Sequence, residues 1–220
     1  MVPSLAGAVA LGEQIGVGVN VKYVRVKLAP SWYAVDQVER EGDAWAVDLG
    51  GEARIPFESD ELGVLIRFAA VVQNLGTELE FDDEEHGDPL PRNVKLGASG
   101  QAAYGRFARA LLCAQYTRSI VELDDGGGGI FGAGLEVEVS VLGLIGQYGG
   151  ETTIPLRDHL LGRVGYYYDP DGEVEGISYG FGGAVELNDR LEFQLDFANV
   201  PQADGLERPW RIQASGWMAF

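Results

Sequence analysis

Between Arg190 and Val200, Leu191, Phe193, Leu195 and Phe197 alternate with Arg190, Glu192, Gln194 and Asp196. A period of two is what an extended strand imposes, because successive side chains point to opposite faces. One hairpin earlier, Ile177, Tyr179, Phe181, Val185 and Leu187 alternate with Ser178, Gly180, Gly182, Ala184 and Glu186, and Asn188-Asp189 supplies a two-residue loop of the kind tight hairpins prefer. A third run, Trp210 to Phe220, ends the chain inside a strand. Each run is about 10 residues, roughly twice the usual length in soluble sheets and close to what a tilted strand needs to cross a bilayer.

The same alternation covers nearly the whole chain. Ile15, Val17, Val19, Val21 and Tyr23 oppose Gly16, Gly18, Asn20 and Lys22, after which the parity flips to Val24 and Val26 against Arg25 and Lys27. A bulge, or emergence of the strand from a membrane, would explain the flip. Trp45, Val47, Leu49, Ala53 and Ile55 oppose Asp48, Gly50, Glu52 and Arg54. Val64, Ile66, Phe68, Ala70 and Val72 oppose Arg67 and Gln73. Val94, Leu96, Ala98 and Ala102 oppose Lys95, Ser99 and Gln101. Residues 106–119 hold a segment with helical propensity at Ala108 to Leu112 whose place in the series makes it a strand. Phe131, Ala133, Leu135, Val137, Val139 and Val141 oppose Gly132, Gly134, Glu136, Glu138 and Ser140, with the pattern read on to Tyr148. Leu160, Val164, Tyr166 and Tyr168 oppose Arg163, Gly165 and Tyr167.

About ten strands result, from about residue 12 to 220, behind a lead-in at 1–11. The loops at 29–43, 76–92, 120–129, 169–175 and 201–209 fall at one end, with mostly shorter links at the other. This asymmetry is that of bacterial outer-membrane barrels, which also favour an even strand number. The expected fold is therefore all-β: an antiparallel up-and-down transmembrane β-barrel in one domain spanning 1–220, both chain ends on the short-loop side. The longer link at Gly149 to Asp158 fits that arrangement least well.

Composition narrows the function classes. A formal net charge of −18 argues against nucleic acid, since phosphate binding needs a basic surface. One cysteine, Cys113, excludes an internal disulfide and a cysteine-rich metal site, and reads as a small packing residue. No apolar run is long enough for a transmembrane helix, which leaves membrane strands open. Glycine, 32 of 220 residues, is about twice its usual share and recurs inside strands, where it permits close approach and curvature. Met1 to Leu11 holds no Lys or Arg and so lacks the basic start of a secretory signal. The chain reads as one whose signal has been removed, or as the later piece of a longer protein.

Gly18-Val19-Asn20-Val21-Lys22-Tyr23, Ala46-Val47-Asp48-Leu49-Gly50, Gln73-Asn74-Leu75-Gly76, Asp88-Pro89-Leu90-Pro91-Arg92 with Leu96-Gly97, and Arg163-Val164-Gly165-Tyr166 occur in an order and spacing that resembles the PorV/PorQ family. These are outer-membrane barrels related to the FadL-type fatty-acid transporters. The resemblance covers about Gly12 to Phe220 and implies a fourteen-stranded barrel of the Gram-negative outer membrane. It further implies a part in type IX protein secretion or in carriage of hydrophobic compounds. The family's N-terminal Asn-Pro-Ala-Gly type segment has no counterpart here, and the plug built from it is not carried over.

The local motifs read as structure. Asp82, Asp83, Glu84, Glu85 and His86 form a solvated acidic loop rather than a cation site, and Asp169-Pro170-Asp171-Gly172 a turn. Gly129-x-x-Gly132-x-Gly134 precedes no helix and is no dinucleotide fingerprint. His86 and His159 lack a neighbouring nucleophile in sequence, so no catalytic, cofactor or metal residue is assigned. The residues expected to line the lumen are Asp48, Glu52, Arg54, Arg67, Lys95, Arg109, Glu136, Glu138, Arg163, Glu192 and Asp196, their mixed charges forming paired networks or a polar channel surface. Trp45, Tyr166, Tyr168, Tyr179, Trp210 and Trp217 are expected to form aromatic girdles.

The expected function is a non-enzymatic outer-membrane protein. Its expected partners are outer-membrane lipid, the barrel assembly machinery through Phe220, and secretion-system proteins or a hydrophobic ligand. The alternative is a soluble β-barrel binding a small hydrophobic ligand with its apolar faces turned inward.

Overall fold

A computed structural model describes residues 2–28, 40–81, 87–105, 107–120, 128–143, 145, 156–187, 191–203 and 205–218. The chain is all-β, with one short helical turn opening at residue 141. Its strands are β1 (Ser4–Leu11), β2 (Ile15–Leu28), β3 (Arg40–Glu58), β4 (Leu62–Gly76), β5 (Glu78–Phe81), β6 (Asp88–Pro89), β7 (Asn93–Tyr104), β8 (Ala108–Ser119), β9 (Gly129–Val139), β10 (Leu156–Asp169), β11 (Val174–Leu187), β12 (Leu191–Asn199) and β13 (Trp210–Met218).

The sheet is antiparallel and up-and-down. Its order is β1-β2-β3-β4-β7-β8-β9-β10-β11-β12-β13, with β5 paired to β3 and to β6. The path ends at β1 and β13, and the sheet is not closed on itself among the described residues. Backbone contacts divide the chain into two units, Met1–Arg54 with Phe68–Leu96 and Thr117–Gly127, and Ile55–Arg67 with Gly97–Tyr116 and Gly128–Phe220.

The alternation expected from sequence is present, and each expected strand has a counterpart. Among the described residues the count is eleven on the main path rather than ten, because the lead-in is itself a strand. Ser4 to Leu11 pairs with β2 from Ser4↔Lys22 to Leu11↔Ile15, across a turn in which Gly12 takes a φ of 77°. Its sequence carries Leu5, Val9 and Leu11 on the face of Val21, Val17 and Ile15, with Ser4, Ala6, Ala8 and Ala10 on the other. Local pattern does not reveal this strand, because small residues on one face blur a contrast of polar against apolar.

Three further expectations are corrected. The strand expected to run to Tyr148 ends at Val139, where Asp158 takes over the backbone: its carboxylate accepts from Val141 N at 3.1 Å, Leu142 N at 2.8 Å and Ser140 Oγ at 3.1 Å, starting the helical turn. No bulge interrupts β2, whose register with β3 runs unbroken from Ile15↔Ala53 to Leu28↔Arg40. Trp217 lies opposite Glu192, on the polar face, so it belongs to no outer girdle. The turn at Asn188-Asp189, the acidic stretch Asp82 to His86, the segment Gly146 to Tyr148 and the terminal Phe220 lie outside the described residues.

The buried apolar set among the described residues is small: Ala44, Ala46, Leu90, Leu161 and Ala184. Large hydrophobic side chains stand on the surface instead.

Candidate functional site

In the second unit, β9 to β12 present one apolar and one charged face. Leu135, Val137, Leu160, Val164, Tyr166, Ile177, Tyr179, Phe181, Phe193 and Leu195 are exposed. Register stacks them into continuous rows, as in Leu135↔Val164↔Tyr179 and Phe181↔Phe197, whose rings stack at 5.1 Å.

The opposite face holds an ion-paired network. Arg163 sits directly across from Glu136, and its Nε donates to Glu136 Oε2 at 2.6 Å. Its Nη1 donates to Asp196 on β12, beyond the intervening β11. Gln194 Nε2 donates to the second Asp196 oxygen at 2.6 Å. Glu138 pairs with the Arg109 guanidinium and lies 2.6 Å from His159 Nδ1, while Arg109 also stands 4.0 Å from Glu136. The carboxylates are shielded, with Glu138 13% and Asp196 14% exposed, against 56% for Phe181 and 57% for Phe193. Two guanidiniums shared among three carboxylates leave a polar surface of low net charge, satisfied largely by its own members.

Small residues make this network possible. On β11 the charged face carries Ser178, Gly180, Gly182 and Ala184, so nothing stands between Arg163 and Asp196. A Cβ on Gly180 would lie 2.6 Å from Phe197 O, and one on Gly182 would collide with the Asp196 carboxylate.

In the first unit the focus is Asp48. Its Oδ1 lies 2.7 Å from Lys22 Nζ and accepts from Asn74 N at 2.9 Å, while Oδ2 accepts from Asn20 Nδ2 at 3.1 Å. Lys22 also donates to Asn74 Oδ1. Asn74 takes a left-handed φ of 60°, a conformation asparagine tolerates better than most residues, and this brings its amide and side chain to the same pair.

Of the expected lumen residues, Arg109, Glu136, Glu138, Arg163 and Asp196 are brought together in one network, and Asp48 anchors another. Glu52 and Arg54 pair along one strand, Arg54 exposed and Glu52 half-buried. Arg67, Lys95 and Glu192 make no ion pair with another described residue. The expected lumen set leaves out Asn20, Lys22, Asn74, His159 and Gln194, which join these networks. All but Asn74 share the strand parity of a neighbouring charged residue, which is the signal that finds them. Cys113, expected to pack, is exposed, and a Cβ on polar-face Gly134 would meet its Sγ at 3.7 Å, so the thiol belongs to the charged face.

No protein-family model matches the chain, and no curated protein matches it.

Proposed function

We propose that this chain is the wall of a non-enzymatic outer-membrane β-barrel whose apolar face meets lipid and whose ion-paired face lines an aqueous lumen. The observation that carries the reading is the inversion seen on β9 to β12: bulky apolar side chains are exposed row upon row while the carboxylates opposite are shielded. Water penalises that arrangement and a bilayer rewards it, since apolar area left in water costs about 25 cal/mol per Å².

The first unit supports the same solvent. On β2 the lipid-side row Ile15, Val17, Val19, Val21, Tyr23 gives way to Arg25 and Lys27 just beyond the Tyr23–Trp45 ring contact, whose centroids are 5.1 Å apart. Eight steps from Ile15 to Tyr23 span roughly 27 Å along a strand, and about 21 Å at a tilt of about 40°, near the roughly 25 Å apolar band of such barrels. In the second unit Tyr179 and Trp210 form another aromatic pair, edge-on with centroids 5.8 Å apart. In lipid the edges of β1 and β13 need partners, either each other or further strands, because unpaired backbone groups there cost several kcal/mol each, on the order of a buried unsatisfied amide.

The resemblance of Gly18 to Tyr23, Ala46 to Gly50, Gln73 to Gly76, Asp88 to Arg92 and Arg163 to Tyr166 to the PorV/PorQ pattern supports a role in type IX secretion or in carriage of hydrophobic compounds. Leu112 and Cys113, adjacent on β8 and of opposite parity, provide the test. The chain is mixed with vesicles, and one fluorophore is attached at Cys113 or at Leu112→Cys in a Cys113→Ser background. The expected result is flotation with the vesicles, quenching of position 112 by brominated lipid and quenching of position 113 by aqueous iodide. A detergent-free monomer that ignores vesicles and shows no lipid quenching at 112 would overturn the proposal in favour of a soluble barrel.

A further inference from the structure

The polar face of β3 changes character along its length. From Asp48 to Arg54 it is charged, whereas at Gly42, Ala44 and Ala46 it has almost no side chain. Yet this small-residue stretch is the best buried part of the unit, with Ala46 0% and Ala44 2% exposed. What covers it is Leu90, 7% exposed, flanked by Val24 and Leu79. The parity flip of β2 now has a cause: beyond Lys22 the polar face turns apolar because Val24 meets this cover.

The covering segment is tied down from several directions. Thr77 N donates to Trp45 O at 3.0 Å, and Trp45 N donates back to Thr77 Oγ1 at 3.0 Å. β5 continues from there, paired to β3 at Gly42↔Phe81 and Asp43↔Glu80, and β6 pairs to β5 at Glu78↔Pro89 and Leu79↔Asp88. After Leu90, Pro91 O accepts from Asn74 Nδ2 at 2.7 Å, and the Arg92 guanidinium donates to Gly76 O at 3.2 Å. Arg92 O accepts from Ile120 N at 2.9 Å. Gly76 passes so close to β3 that a Cβ would lie 2.8 Å from Ala46 Cα. Backbone ladders, a left-handed Asn74 and a glycine with no room for a methyl are more than a solvated surface loop requires.

We propose that Leu90 to Arg92 is a fixed strap laid across the polar face of β2 and β3, a permanent constriction on the long-loop side of the Asp48 network that limits what the lumen passes. The constriction rests on the membrane-barrel reading; the cover over Ala46 does not. Leu90 is its size-determining residue, held against alanines that leave it just enough depth.

The test uses the full chain with Cys113→Ser and Ala46→Cys, refolded in micelles, and a small charged thiol reagent. Ala46→Cys is expected to react at least tenfold more slowly than native Cys113, and to speed up at least tenfold on adding Leu90→Ala. A second variant, with 79–90 replaced by Gly-Ser-Gly, should do the same if Leu90→Ala is cushioned by its neighbours, and circular dichroism confirms that each remains folded. Equal reactivity at 46 and 113 with Leu90 in place would overturn the cover. In planar bilayers, conductance should at least double on Leu90→Ala or the replacement, and an Ala46→Cys/Leu90→Cys cross-link should leave it unchanged. Unaltered conductance after Leu90 is removed would overturn the constriction, and a cross-link that changes conductance would overturn its fixity. The thiol pattern found intact in a chain that does not enter vesicles would instead overturn the membrane reading, and the lumen with it.

Discussion

Arg163 on β10 reaches Asp196 on β12 across a whole intervening strand, and Gly180 and Gly182 of β11 are what let it through. A side chain at either glycine closes the path. Gly182→Val is expected to break the Arg163–Asp196 bond and destabilise the fold by about 1–3 kcal/mol, the usual cost of overpacking. Urea titration in micelles measures it, and a midpoint equal to that of the parent would count against the network.

Shielded and exposed ion pairs should separate cleanly. Arg163→Met removes the cation that Glu136 and Asp196 share, and should cost about 2–4 kcal/mol, near the range for removing one partner of a buried pair. Arg54→Met, at an exposed pair with Glu52, should cost under about 1 kcal/mol. Similar losses at both positions would show that shielding of the charged face is immaterial.

The two faces should respond oppositely to charge. Phe181→Arg and Leu195→Arg place a guanidinium in the exposed apolar rows and, on the proposed membrane reading, should weaken folding in bilayers by about 2–4 kcal/mol, the midplane penalty. Gln194→Lys, one residue along on the polar face, should be tolerated within about 1 kcal/mol, as lumen substitutions usually are. Reversal of that order would invert the assignment of the faces.

A pH effect is expected beyond the Tyr23–Trp45 pair. Glu41 lies 2.8 Å from Lys27 and also pairs with Arg25; the two cations hold its carboxyl down at about 2, from an ordinary 4.5. Arg25 is correspondingly pushed up, chiefly by its hydrogen bond to Glu41. A depressed carboxylate contributes stability that is complete above its unfolded value and is lost as pH falls from about 4.5 through about 2. Carbon-detected NMR of the Glu41 carboxyl should show a midpoint near 2 that climbs toward 4.5 in Lys27→Gln/Arg25→Gln. An unchanged midpoint in that variant would remove the cause.

The antiparallel strands and the two-faced pattern were legible in the amino-acid order because strand geometry is local: alternate side chains must diverge, and Leu191 to Phe197 state that rule residue by residue. Two links departed from that local reading: the stretch 76–92, read as a loop, holds β5 and β6, and after Val139 the carboxylate of Asp158, nineteen positions on, caps a helical turn that local pattern reads as more strand. Which charges meet was only partly legible. Parity placed Arg163, Glu136 and Asp196 on one face, but the reach across β11 depends on register and on two glycines whose value lies in what they omit.

By itself, then, the sequence determined strand-forming alternation, the division into an apolar and a charged face, and a strongly acidic chain. The tertiary structure decided that Ser4 to Leu11 contributes a further strand, that Asp48 answers to Lys22 and Asn74, and that Leu90 closes over Ala44 and Ala46. The first is a local hairpin whose small residues blur the period; the contacts of Asp48 and Leu90 join residues far apart in the chain, and their energies depend on distance in space, which no local period encodes.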